Sequence, residues 1–236
     1  PLAPSFDTVG WMTNDAETLL QVGRALLPAC DDGHSFTRFM LAEDAWALAD
    51  QHLKDTLKAV VAAVEQRNEF SGWVTVADEG LAVWMNAFRI LQALEIWASH
   101  GEWIREVQPQ FGPGIAQRFK WASTLKAEDG LQAAQLRKTI REQLVQLLGD
   151  DGLLLLPTAP GRAPLLNMPD EAVEETRSKT LQLSCIAGLA GLPQVTIPFL
   201  DETKAPVGLS VIAGPNQDLR LLQWVNEFRE LWRQEL

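Results

Sequence analysis

Ser123 and Lys126 stand three residues apart, in the S-x-x-K spacing. In that spacing a lysine amine can take the proton of a serine hydroxyl and leave a nucleophile. The companion motifs of such a pair are missing, so the match is read as chance. The other sets that could do chemistry are thin. His34, His52 and His100 are scattered, and none has the H-x-x-x-H spacing of a metal site. Gly208-Leu209-Ser210-Val211-Ile212 lacks the second glycine of a nucleophile elbow. No C-x-x-C, P-loop or G-x-G-x-x-G occurs. The two cysteines, Cys30 and Cys185, make no disulfide framework, which points to a reducing compartment. No metal and no cofactor are expected.

Behind these residues lies one organising stretch, Arg177 to Phe199. Leu181, Ser184, Cys185, Ala187 and Gly188 recur at helical spacing and make one narrow face. Gly188 and Gly191 are read as loosening the helix end, and Pro193 stops it. Val195-Thr196-Ile197, closed by Pro198, and Val207 to Ala213 read as neighbouring strands of a covered sheet. Leu153 to Leu156, bounded by turn residues, reads as a strand buried on both faces.

The rest of the chain predicts mostly helix. Asn14 and Glu17 have capping-box spacing before a helix that Pro28 ends. Asp31 to Met40 reads as polar connection, and Ala42 to Glu65 as one long helix. Gly72 to Val76 is a candidate short strand. Asp78 to Ser99 is helical and Gly101 closes it, with a short turn over Trp103 to Val107. Helices follow over Gly112 to Leu125 and Glu128 to Leu148, meeting near Gly130. A helix begins near Asp170, and Asp218 to Glu235 is the closing helix, with Leu231 inward. Trp84, Trp97, Trp103 and Trp121 lie in the helical middle, to pack between helices or to wall an aromatic pocket. The fold class is α/β: a helix-rich region over about 30–150, then sheet and covering helices over about 151–236. The strands have few partners for a sheet that wants cover and neighbours, so this chain reads as half of a sheet.

Hydrophobic residues are 47% of the 236, enough for a sizeable core. The net charge of −11 argues against nucleic acid or an anionic membrane surface as partner. No apolar run approaches the roughly 18 residues of a spanning helix, and no secretory leader is visible. The expectation is a cytoplasmic chain.

Several pieces resemble the C-terminal part of the amidase signature family. They are Gly191-Leu192-Pro193, the strand ending at Pro198, Pro206-Val207-Gly208-Leu209-Ser210, the entry Pro1 to Trp11, and Leu153 to Pro160. The Gly208 and Gly191 pieces are similar to the branch that includes indole-acetamide hydrolases and a chloroplast import receptor. The resemblance implies an amidase-signature fold with a mixed central sheet. It also implies hydrolysis of a small carboxamide to acid and ammonia by a Ser, a cis-bonded Ser and a Lys. The Gly/Ser-rich segment that carries those groups does not occur in this sequence: there is no G-S-S or G-G-S. The chain is therefore expected to be the C-terminal portion of a single amidase signature domain over 1–236, inactive alone. It is expected to pair with a complementary N-terminal half or with itself. A non-catalytic amidase-like scaffold is the alternative. By the resemblance, Arg177, Ser178, Leu181 and Cys185 line the substrate pocket and Thr158 sits at its rim. Asp7 and Thr8 belong to a loop that passes near the active centre. Core packing for Leu181 and Cys185, an ion pair with Glu171, Glu174 or Glu175 for Arg177, and a turn cap for Asp7 compete with those roles.

Overall fold

A computed structural model describes residues 1–28 and 35–229. Cys30, His34 and the end of the closing helix, including Leu231, lie outside the described residues. The centre is a five-stranded mixed sheet. Its strands are β1 (Arg38–Ala42), β2 (Phe70–Val74), β3 (Gly152–Pro157), β4 (Gln194–Leu200) and β5 (Pro206–Ile212), in the order β2-β1-β3-β5-β4. β1 runs parallel to both β2 and β3, and β5 runs antiparallel to both β3 and β4.

The side-chain alternation of strands splits the core in two. Phe39, Leu41, Leu153, Leu155, Leu209 and Val211 point to one face. There they meet Leu53, Leu57 and Val60 of α3 (Gln51–Glu65) and Leu221 and Trp224 of α8 (Asp218–Glu227). Met40, Leu154, Leu156 and Ile212 point to the other face. Three helices cover it: α4 (Leu81–Val107) with Trp84, α6 (Ala127–Leu148) with Ile140 and Leu144, and α7 (Asp170–Ala190) with Leu183 and Ile186. The leucine run of β3 is thus fully buried, as its composition predicts, and each such side chain contributes about 1.5–3 kcal/mol on burial.

Local chemistry redraws several predicted boundaries. The cap of α1 (Ala16–Leu26) is Asp15, not Asn14: its carboxylate accepts the Thr18 N–H at 2.7 Å. The stretch to Met40 is not all connection, because Arg38 to Ala42 form β1. The helix expected over Ala42 to Glu65 is broken in two, α2 (Glu43–Ala47) and α3. Asp50 makes the break. Its carboxylate caps α3 at Leu53 N (2.8 Å), while its own N–H donates to Pro160 O (2.7 Å). The candidate strand at 72–76 starts two residues earlier, at Phe70. Gly101 does not close a helix, since α4 runs through it to Val107 and absorbs the turn expected at Trp103. Gly130 is inside α6, and α5 is Pro113–Ala122. Gly188 also lies within its helix. The cap of α7 is Gly191 alone, at φ +61°.

The last carbonyls of α7 are held by side chains of α6. Arg137 Nε donates to Leu189 O at 3.1 Å, and Arg141 donates to Ala190 O. Arg137 also holds the entry segment, donating to Ser5 O at 3.0 Å and lying over the Phe6 ring. Both edge strands are half-open. β4 alternates exposed and buried positions rather than being buried on both faces, and Pro198 sits within it. An edge is where a strand tolerates a residue with no N–H.

Gly152 opens β3 directly behind the end of α6. A Cβ there would stand 2.5 Å from Leu148 O and 3.0 Å from its Cα, both backbone atoms. Gly152→Ala is expected to destabilise by about 1–3 kcal/mol, as overpacking does. That lowers Tm by roughly 2–4 °C per kcal/mol in a chain of this size. Gly114→Ala in α5, where a Cβ meets nothing within 4 Å, should leave Tm unchanged or raise it. Thermal melts of the two variants in parallel check this; equal Tm values would refute the packing account of Gly152.

Candidate functional site

The pocket stripe expected on α7 runs from solvent into the core. Arg177 is 43% exposed and lies 3.8 Å from Glu174. Ser178 Oγ points at Met85 Sδ of α4 (3.7 Å), and Leu181 is half-buried. Cys185 is fully buried in the core between α7 and the sheet, and its thiol donates to Gln182 O at 3.4 Å. Burial pushes that thiol up to about 12, so it carries no reactive thiolate near neutral pH.

Thr158 follows β3 and belongs to a second group. Its Oγ1 is 2.8 Å from Ser210 Oγ. Ser210 also receives the Gln194 Nε2–H at 3.0 Å and lies 3.3 Å from Thr196 Oγ1. Ser210 is 1% exposed, yet one donor and two acceptor lone pairs suffice for this set of partners. Gly208 makes the cluster possible: a Cβ there would be 2.7 Å from Thr158 Oγ1 and 2.9 Å from its Cβ. Gln194 and Thr196 reach Ser210 from the exposed face of the β4 edge.

Ser210, Gln194 and Thr196 escaped the sequence reading. The signal was present, as two polar residues at alternate positions at the start of β4 and one serine inside an otherwise apolar β5. Among the described residues no Lys or His hydrogen-bonds to the cluster, so it can hold and orient a polar group but has no base to activate a hydroxyl.

Asp7 and Thr8 belong to the entry segment. The Asp7 carboxylate accepts Leu2 N (2.6 Å) and Ala3 N (3.2 Å), which is a turn cap. Among the described residues no hydrogen bond joins Asp7 or Thr8 to Thr158 or to α7.

The loop after Thr158 is tied down from two sides. Pro160 O accepts the Asp50 N–H, and Arg162 forks between Asp201 and Glu202, the latter at 2.7 Å. The Asp201 side chain is itself buried and also accepts Thr203 N (2.8 Å), Thr203 Oγ1 (2.7 Å) and Ala205 N (3.0 Å). Burial alone would favour its protonated form. The donors from Thr203, Arg162 and Ala205 outweigh burial and hold its pKa well below the usual carboxylate range. Thr158 is therefore presented on a loop fixed at both α3 and the β4–β5 turn.

The family model for amidase matches residues 104–222, which include α5, α6, the whole of β3 to β5 and α7. The chain belongs to the amidase family. It is 30% identical to Amidase 1 of Oryza sativa subsp. japonica over 96% of this chain and 59% of that protein. It is 27% identical to the chloroplastic Outer envelope protein 64 of Arabidopsis thaliana over 95% of this chain and 43% of that protein. The chain thus spans about two to three fifths of the length of these relatives. A crystal structure of an amidase superposes with a TM-score of 0.81 at 23% identity, covering 98% of this chain and 54% of the other. That likeness shows the amidase-signature fold. Among the described residues no helix is long and apolar enough to cross a membrane.

The depressed pKa of Asp201 fixes the sign of a pH effect. Its stabilisation is complete above the unfolded carboxylate value of about 4 and is lost as pH falls through the lower folded value. The stability difference between the native chain and Asp201→Asn should be constant from neutral pH down to about pH 4 and shrink below it. Urea midpoints at a series of acidic pH values read this. A difference that stays constant across the series would show that the Asp201 network does not hold its proton off.

Proposed function

We propose that this chain is part of an amidase that hydrolyses a carboxamide to a carboxylic acid and ammonia. Ser–cis-Ser–Lys chemistry would come from a segment with the Gly/Ser-rich pattern this sequence lacks. Support comes from the amidase match across β3, α7, β4 and β5 together with the open polar edge that those elements make. In this reading the Thr158–Ser210–Gln194–Thr196 cluster and the outer half of the α7 stripe face the substrate. Leu181 and Ser178 meet its apolar body, Arg177 meets a remote carbonyl or anion, and Cys185 packs behind them. Asp7 and Thr8 shape the entry loop at a distance. The chemistry needs no metal or cofactor, and the place of work is the cytoplasm. The partner is a complementary N-terminal half, or a second copy of the chain.

One observation favours a second reading. The match to Outer envelope protein 64 covers 95% of this chain, against 96% for the match to Amidase 1. A non-catalytic amidase-like scaffold would keep the same sheet and helices.

The two readings separate by assay. The purified chain alone is expected not to turn over small aryl or alkyl amides; turnover that also labels a serine of this chain would overturn the division of labour. Joined to a segment carrying the Ser–cis-Ser–Lys set, it should hydrolyse amides, whereas a scaffold would stay silent. In that active form Arg177→Ala should raise KM roughly three- to tenfold and leave kcat nearly unchanged. The loss is a charge-assisted contact discounted for the exposure of the guanidinium. Leu181→Trp should exclude bulky amides and spare the smallest. A fall in kcat with KM unchanged for Arg177→Ala would move Arg177 out of the remote part of the site.

A further inference from the structure

A cleft of about 460 Å³ opens between α4, α5 and α6. That volume lies within the range of small-molecule sites. Its inner wall is apolar and aromatic: Ile90 of α4, Trp121 of α5 and Leu125 of the α5–α6 loop, all half-buried. Its rim is polar: Asn86 of α4, and Glu128 and Gln132 of α6, all exposed. None of the three rim side chains makes a hydrogen bond or ion pair within the described chain, so their oxygens are available to a ligand.

The cleft is preformed. α6 rests on α4 at Gly130, where a Cβ would come within 2.6 Å of the end of Leu94. The Trp121 indole is set by Arg89, whose guanidinium lies over it at 5.3 Å. Asn86 and Ile90 are one turn apart on α4. Met85 and Phe88, which face α7, lie on a different side of the same helix.

The charges at the cleft are Arg89, Glu128 and Asp129. Arg89 is engaged with the indole. Asp129 accepts the Lys126 N–H at 2.7 Å and so answers the positive end of α6. Glu128, in the same first turn, makes no hydrogen bond or ion pair among the described residues, and it stands beside two side-chain amides that can each offer a carbonyl oxygen. An alkylammonium group has three donors and no acceptor, which matches one carboxylate and two amide oxygens. A flat apolar body behind it matches Trp121, Ile90 and Leu125.

We propose that this cleft binds a primary ammonium carried on a short aromatic or apolar body. The site needs only this chain, so its test is independent of whether the amidase reading holds. Titrate the chain calorimetrically with 2-phenylethylammonium at low salt. Compare the neutral 2-phenylethanol and the anionic 3-phenylpropanoate. The expected result is saturable binding of one ammonium per chain, about tenfold weaker for the alcohol, with none for the carboxylate. Glu128→Gln, at an exposed position that leaves the fold intact, should weaken ammonium binding about tenfold and leave the alcohol unaffected. The side-chain amide resonances of Asn86 and Gln132 should shift with the same saturation curve. Absence of saturable binding overturns the proposal. So does equal affinity for the alcohol, or an affinity that Glu128→Gln does not change.

Discussion

The structure depends on β3 being buried on both faces. Leu153 and Leu155 complete one core, and Leu154 and Leu156 complete the other. A strand so placed must have all its main-chain groups paired within the sheet, because no water reaches it. β1 on one side and β5 on the other do that. The polar cluster of the candidate site hangs from the end of this strand. Thr158 is its continuation, its N–H still donates to Gly208 O at 2.9 Å, and the loop beyond is anchored by Asp50 and Arg162. A β3 less fully enclosed would leave the polar cluster around Ser210 without a fixed frame.

Two kinds of polar burial are worth contrasting. The Asp201 carboxylate is surrounded by donors and remains ionised, so its loop is held by charge. Ser210 is neutral and merely shares its hydrogen bonds among Thr158, Gln194 and Thr196. The first fixes the loop after Thr158 against the β4–β5 turn. The second leaves two of its partners on an open edge, where a ligand or another chain segment can compete for them. The protein thus separates a rigidly held loop from the more adaptable polar groups on the β4 edge.

How much of this could be read from the sequence follows from how local each cause is. Four leucines between turn residues read best as a buried strand, and α7 with its Gly191–Pro193 end obeys short-range rules; both were legible. β1 was not, because Phe39-Met40-Leu41-Ala42 runs without a turn signal into Glu43, and only its tertiary neighbours β2 and β3, the latter over a hundred residues away, make it a strand. The break at Asp50 was half-legible, since a cap residue precedes a clear helical stripe, but the competing bond to Pro160 is tertiary. Along α7 the spacing placed Arg177, Leu181 and Cys185 one turn apart, yet it could not say that the depth changes from solvent to core over two turns. Asp7 shows the same limit: its type and place fit a turn, and the turn is where its carboxylate is spent.

The parallel and antiparallel halves of the sheet also differ in the length of chain that each must close. β4 and β5 are joined by a short turn, so their ladder closes a small loop and is accessible early as the chain collapses. β1 and β3 are separated by α2 to α6, and their ladder closes a loop of more than a hundred residues. Loop-closure entropy alone thus favours the β4–β5 hairpin over the β1–β3 ladder, and so favours assembly from the open polar edge inward to the buried centre.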